Sequence, residues 1–265
     1  MRPAQSGRPR LRKREIAFAV AMGALAAGGA ALFVAEDDSS GDRAVTFGSP
    51  GEMTYAVADF DEIATSGPQD VEVSLGDTFA VRSKGSPDAL SLIDAVVEDG
   101  KLVIRPKNNF DGWSWGRLES ATFYVTLPRL AAVAIAGSGE VSVDRIEGDS
   151  FEASIAGPGS LAIAAMKVDE ADFSIGASGD LVAAGTARET HVSIGGSGEV
   201  QAGGLRSKTA SIAIAGSGDV ALTVDDEAKV SIAGSGDVDI SGPGRCSVTR
   251  MGSGEVSCSG GGGTD

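Results

Sequence analysis

Hydrophobic and polar residues alternate in short segments throughout the second half of the chain. Val230-Ser231-Ile232 and Val238-Asp239-Ile240 are two such segments, and a Gly-Ser-Gly turn followed by an acidic residue separates them. Because successive side chains of a strand point to opposite faces, this alternation predicts strands with one apolar and one polar face. Glycine accounts for 38 residues and aromatic residues for only 5% of the chain, a composition typical of many short strands joined by tight turns.

The unit of strand, turn and strand occurs seven times. The second glycine of the turn recurs at nearly constant intervals, as Gly139, Gly159, Gly179, Gly198, Gly218, Gly236 and Gly254. A period of about 18–20 residues is too short for a pair of helices and matches one coil of a parallel β-solenoid. An antiparallel up-and-down sheet would need a second tight turn in each repeat, which variable stretches such as 164–173 do not supply.

An isoleucine lies four residues before each of the first six of these glycines. The six are Ile135, Ile155, Ile175, Ile194, Ile214 and Ile232. One repeat cannot bury its own apolar face, so we expect these side chains to stack as an inward ladder between successive coils.

The exported body is predicted to begin with a less regular part. Residues 53–130 contain strand candidates but no strict repeat, and residues 131–258 contain the regular coils. The candidates are Thr54–Phe60, Asp70–Leu75, Phe79–Ser83, Leu92–Val97, Leu102–Pro106 and Thr122–Leu127. We expect irregular first coils and a hairpin that cap one end, because terminal repeats must shield the edge of the core. Residues 36–52 are interpreted as a linker and 259–265 as a flexible tail.

The N-terminal region has the charge pattern of an exported protein. Residues 1–15 carry a net charge of +5, so the rest of the chain carries −20 of the total of −15. Ile16–Ala35 is uncharged and long enough to span a bilayer. Basic residues before it and acids after it place the N-terminus in the cytoplasm. A cleaved signal peptide, with Ala24-Leu25-Ala26 as the processing site, is the alternative. The body is therefore expected in the periplasm, anchored to the inner membrane, or released as a periplasmic or secreted protein.

Several segments resemble a known family. Phe60-Asp61-Glu62-Ile63, the run from Val97 to Ile104 and Leu127-Pro128-Arg129-Leu130 precede the first Gly-Ser-Gly turn in a fairly specific order. This order is similar to that of the head GIN domain family, which is labelled as autotransporter adhesins, and the likeness covers residues 55–258. The resemblance implies a right-handed parallel β-helix in an exported bacterial protein, and it implies no catalytic residues.

An acidic residue follows six of the seven turns, and Ser160 stands at the remaining one. The acids are Glu140, Asp180, Glu199, Asp219, Asp237 and Glu255. Stacked about one strand spacing apart, such carboxylates repel each other by roughly 1 kcal/mol per pair in water. Calcium is a candidate counter-ion, since it accepts oxygen ligands in flexible geometry. The alternative is a solvated ridge that keeps solenoids from pairing edge to edge, and free exchange of Asp and Glu favours this alternative.

Both tryptophans of the chain lie in one polar segment, Asn108–Arg117. Trp113 and Trp115 beside Asn109 and Asp111 are the kind of residues that bind glycans, since sugars stack on aromatic rings. The alternative is a hairpin loop whose tryptophans cover the open end of the first coil.

The two cysteines flank the last turn. Subtraction of the period of the last coils maps Cys246 onto Ala228 and Cys258 onto Ile240, positions with inward parity, and maps Arg250 onto Ile232. In an oxidising compartment a disulfide is therefore expected at the C-terminal end. Free buried thiols or a metal site are the alternatives. His191, the only histidine, is expected at the surface without a carboxylate partner.

The sequence lacks the motifs of nucleotide-binding proteins and of zinc metalloproteases. We find no P-loop and no HExxH, and the acidic body disfavours nucleic acid. The leading interpretation is a non-enzymatic envelope module that contacts a glycan, an envelope protein or a second copy of itself. A carbohydrate-active enzyme with carboxylates on one face, or a structural spacer, is the alternative. No cofactor other than calcium is expected.

Overall fold

The computed structural model describes residues 45–47, 51–107 and 121–260, which form a parallel β-solenoid. The all-β solenoid expected from the repeat is confirmed. The strands are β1 (Val45–Phe47), β2 (Glu52–Tyr55), β3 (Glu62–Thr65), β4 (Asp70–Leu75), β5 (Ala80–Lys84), β6 (Ile93–Glu98), β7 (Lys101–Pro106), β8 (Thr122–Leu127), β9 (Ala132–Ile135), β10 (Glu140–Val143), β11 (Ile146–Ile155), β12 (Ser160–Ile175), β13 (Asp180–Ile194), β14 (Glu199–Gly216), β15 (Asp219–Gly234), β16 (Val238–Ser241), β17 (Arg245–Gly252) and β18 (Val256–Cys258). One short helix, α1 (Pro87–Ser91), begins after Ser86, whose hydroxyl accepts a hydrogen bond from the Ala89 N–H.

The regular coils stack in chain order. Strands β11 to β15 pair in parallel, each with the next, and β17 continues the stack on β15. On the other side of the turns β10, β12, β13, β14, β15, β16 and β18 stack in the same way. Irregular register at the corners, for example between Ile163 and Met166, absorbs the variation in coil length.

The isoleucine ladder lies in the core as expected. Successive members pair with each other from one coil to the next as far as Ile232, and each is only 1–2% exposed. Phe123, Phe151 and Phe173 are also fully buried. The ladder ends where Ile232 pairs with Arg250, which is exposed and donates a hydrogen bond to the carbonyl of Gly254.

The first coils do not stack in chain order. β3 lies between β7 and β9, and β4 lies between β8 and β10, all in parallel. The coil formed by β3 and β4 thus lies between two parts of the chain that both come later in the sequence. β3 was not among the strand candidates, although its Ile63 is completely buried.

Antiparallel strands flank this N-terminal coil. β6 pairs with β7 as a hairpin. β5 pairs with β8 on one side and with β2 on the other, and β1 pairs with β2. β1 falls within the segment interpreted as a linker. Burial of the phenol ring raises the pKa of Tyr55 in β2, while its hydrogen bond with Ser83 of β5 acts in the opposite direction.

None of the helices within the described residues has the length and apolar character needed to cross a membrane. The predicted anchor or signal segment, 16–35, lies outside those residues.

Candidate functional site

The acidic residues that follow the turns form one outward column along the solenoid. Glu140 pairs with Ser160, Ser160 with Asp180, Asp180 with Glu199 and Glu199 with Asp219. Asp237 and Glu255 extend the column, because the valines that follow them continue the same register. All six acids predicted from the sequence are exposed. We call this set, together with Asp70, the acidic column.

Asp70 belongs to the acidic column although the repeat did not reveal it. Val71 pairs with Val141, and the Asp70 carboxylate accepts a hydrogen bond of 3.1 Å from the Glu140 N–H. Its turn, Ser66–Gln69, lacks Gly-Ser-Gly and lies far from that of Glu140 along the chain. The available signal was its likeness to the turn Gly157-Pro158-Gly159, since Gly67 and Pro68 stand in the same order.

Some carboxylates of the acidic column have a structural role. Asp219 accepts a hydrogen bond of 2.9 Å from the Asp237 N–H, and Asp237 accepts one of 2.7 Å from the Glu255 N–H. These two steps are the shortest between successive turns. At the preceding step the corresponding N–H of Asp219 donates instead to the carbonyl of Gly198, at 3.3 Å. At these two 18-residue steps a carboxylate therefore replaces the backbone acceptor used at the preceding step.

The C-terminal part of the acidic column borders an open groove of about 380 Å³. Its lining residues include Glu199, Asp219, Asp237, Asp239, Glu255 and Ser257. Across the described residues, no lysine or arginine forms an ion pair with a member of the acidic column. The groove therefore presents negative charge and hydrogen-bond acceptors to solvent, and we call it the acidic groove.

The two cysteines meet in the last coil. Cys246 pairs with Ala228 and Cys258 with Ile240, the positions to which the repeat period maps them. Their sulfurs are joined in a disulfide with the Cα atoms 6.6 Å apart. This bond ties β17 to β18 at the end of the solenoid.

The aromatic candidates Trp113 and Trp115, with Asn109 and Asp111, lie outside the described residues. They belong to the segment that connects β7 to β8, and their role in glycan binding or in capping stays a prediction.

The expectation that His191 has no carboxylate partner is wrong. Its Nε2 lies 3.4 Å from a carboxylate oxygen of Glu189 and 3.7 Å from one of Glu170. Asp172 is its cross-strand partner. The signal was present in the sequence, because Asp172 and His191 are separated by the same interval as the turn glycines Gly179 and Gly198.

Basic residues are paired along the corner where β12 to β15 bend. Arg206 forms an ion pair with Asp225, and this hydrogen-bonded carboxylate raises the pKa of its guanidinium. Arg188 lies 3.7 Å from Asp169, and Lys208 lies 3.7 Å from Asp226. Neighbouring carboxylates therefore balance the positive charge of these three residues.

The stacked parallel coils, joined by Gly-Ser-Gly turns, place the protein among the β-solenoid domains. The model of one family, described as "Putative auto-transporter adhesin, head GIN domain", matches residues 59–244, and the chain belongs to this family. The resemblance noted in the sequence is thereby confirmed. No curated protein matches the chain.

Solved structures share this fold. A "putative adhesin" from Bacteroides fragilis NCTC 9343 is 19% identical, with a TM-score of 0.72 over 78% of this chain and 95% of that one. A "putative lipid binding protein" from Parabacteroides distasonis ATCC 8503 is 22% identical, with a TM-score of 0.64 over 79% and 96%. A "putative adhesin" from Parabacteroides merdae ATCC 43184 is 19% identical, with a TM-score of 0.62 over 78% and 94%. At these identities the likeness concerns the fold alone.

Proposed function

We propose that this protein is an exported module of the bacterial cell envelope that binds an extended glycan in an adhesion-like manner and has no catalytic role. The acidic groove carries this proposal. It is open, it runs across several coils, and it repeats the same acceptor groups from one coil to the next.

The chemistry of the acidic groove favours a particular class of glycan. Carboxylates accept hydrogen bonds from sugar hydroxyls and attract amino groups, so neutral and amine-bearing glycans fit the groove. A polyuronate or a nucleic acid would be repelled by the same carboxylates. The adhesin descriptions of the family and of two structural neighbours are consistent with a binding role.

A hydrolase is less well supported. Glycosidases use pairs of carboxylates about 5–9 Å apart, a range that stacked coils can supply. The acid of such a pair must be shielded from water so that it stays protonated. The groove carboxylates Glu199, Asp219, Asp237, Asp239 and Glu255 are all exposed.

Export is supported by two features of the chain. The basic start followed by the uncharged segment 16–35 has the pattern of a signal or anchor. A disulfide in the last coil suits an oxidising compartment. We place the body outside the cytoplasm, anchored by 16–35 or released by its cleavage.

The test is a binding screen with the purified full chain in mild detergent. The probes are chito-oligosaccharides, chitosan oligosaccharides and polygalacturonate, which are neutral, cationic and acidic glycans. We expect saturable binding to at least one of the first two, none to polygalacturonate, and no release of reducing ends. Binding to none of the probes would favour a spacer, and release of reducing ends would favour an enzyme, so either result would overturn the proposal.

A further inference from the structure

A second group of chemically active side chains lies away from the acidic column, on the stretch of each coil that precedes the turn. Glu170 and Asp172 belong to β12, and Glu189 and His191 belong to β13. Glu170 pairs with Glu189, and Asp172 pairs with His191. The four residues therefore occupy the corners of a square on two adjacent coils.

Alternation of the two strands directs all four side chains to the same outer face. Ala171 and Thr190, the residues between them, are completely buried. The Thr190 hydroxyl is hydrogen-bonded to that of Ser207 in the neighbouring coil. This inward contact fixes β13, so that Glu189 and His191 are held outward.

The distances within the square suit a metal ion. One ligand atom each from Glu170, Asp172 and His191 lies within 4.8 Å of the others. Glu189 approaches the imidazole at 3.4 Å. In a tetrahedral zinc site with bonds of about 2.0 Å, ligand atoms are about 3.3 Å apart. The side chains are half-exposed or exposed, so they can rotate and bring the ligand atoms from their present separations to those of a zinc site.

The ligand types point to the class of metal. An imidazole with carboxylates is a donor set for zinc and other divalent transition metals, whereas calcium and magnesium prefer oxygen ligands alone. The imidazole separates this square from the acidic column, which has only oxygen donors. Across the described residues, no lysine or arginine forms an ion pair with any of the three acids.

We propose that Glu170, Asp172 and His191 bind a divalent transition-metal ion of the zinc type, with Glu189 as a fourth ligand. The bound ion joins β12 to β13 in the middle of the regular coils. This site is independent of glycan binding at the acidic groove.

The experiment is a calorimetric titration of the metal-stripped, tag-free full chain with zinc chloride. We expect one equivalent of zinc to bind, and His191→Ala to weaken the affinity at least tenfold. Glu152→Gln is the matched control, since Glu152 pairs with Asp172 on the side away from His191 and should leave the affinity unchanged. Millimolar calcium should not displace the zinc.

A spectroscopic measurement identifies the ligand directly. With one equivalent of Cu²⁺, electron paramagnetic resonance should show hyperfine coupling to an imidazole nitrogen, and His191 is the only histidine that can supply it. Absence of saturable zinc binding, or equal affinity in wild type and His191→Ala, would overturn the proposal. A copper spectrum without imidazole coupling would do the same.

Discussion

The second glycine of each turn permits a direct test of the stacking, because its neighbours are atoms of the preceding coil. A Cβ added at Gly198 would lie 2.4 Å from the carbonyl oxygen of Gly179 and 2.6 Å from the Cγ2 atom of Ile175. Real Cβ atoms essentially never approach other atoms closer than 3.0 Å. One obstacle is backbone and the other is a buried methyl group, so rotation of an exposed side chain cannot relieve the contact.

Gly198→Ala should therefore separate two coils that hydrogen bonds hold together. The Glu199 N–H donates to the Gly179 carbonyl at 3.3 Å, beside the obstructed position. Overpacking of this kind costs about 2–3 kcal/mol. For a domain of this size, that lowers the melting temperature by roughly 5–10 °C.

Gly195→Ala is the matched control in the same turn. Its added Cβ would meet only the Ile175 carbonyl oxygen, at 3.9 Å. Four other coils carry alanine at this position: Ala136, Ala156, Ala215 and Ala233. We expect stability equal to wild type, or higher by up to about 1 kcal/mol because alanine reduces the entropy of the unfolded chain.

The assay is thermal and guanidinium unfolding followed by circular dichroism, with hydrogen exchange to detect separate opening of single coils. Coils of a solenoid can unfold one by one, so the exchange data show whether the damage lies on both sides of Gly198. Equal stability of Gly198→Ala and Gly195→Ala would refute the stacking argument.

Three further predictions concern the acids and the cysteines. Asp219→Ala should lower the free energy of unfolding by about 1 kcal/mol, because the Asp237 N–H loses its acceptor. Asp180→Ala is the control and should leave stability unchanged, since the described part of the chain shows no hydrogen bond to its carboxylate. Equal losses of stability in the two variants would contradict this. Maleimide trapping in living cells should find Cys246 and Cys258 unreactive, whereas labelling of both thiols in the folded protein would argue against export. Reduction of the disulfide in the purified protein should lower the free energy of unfolding by about 3 kcal/mol, given the length of the loop that it closes. The His191→Ala variant should have the same melting temperature in millimolar calcium and in chelator, because an acidic column that is simply solvated needs no ion. A clear rise in the melting temperature with calcium would assign the acidic column as a calcium site.

The regular coils could be predicted from the sequence because a fixed period converts directly into register. A shift by the period of the last coils places Cys246 on Ala228 and Arg250 on Ile232, and the structure pairs both. The same reasoning with the local interval between turns would have placed His191 opposite Asp172. Residues close to His191 in sequence do not reveal this cluster. It becomes visible only when the residues at the equivalent position of the adjacent coil are considered.

The N-terminal coils could not be predicted in the same way. β4 pairs with β10 although the two strands are distant in sequence, as Val71 with Val141, and β3 pairs with β7, a strand that comes later in the chain. Such pairings follow from the shape of the core and leave no period in the sequence. Asp70, which completes the acidic column, was hidden for this reason.

The most direct test of the proposed function is the affinity of the acidic groove for a glycan. The measurement is a titration of the full chain in mild detergent with whichever of the chito-oligosaccharides and chitosan oligosaccharides the wild type binds more tightly. It compares wild type with Glu199→Gln/Asp239→Asn. Neither carboxylate accepts a hydrogen bond from the described residues, so the double variant should fold normally. Glu147→Gln/Asp149→Asn loses the same charge outside the groove and serves as the control. The account predicts at least tenfold weaker binding for the groove variant alone; equal binding by both variants, or none by wild type, would contradict it.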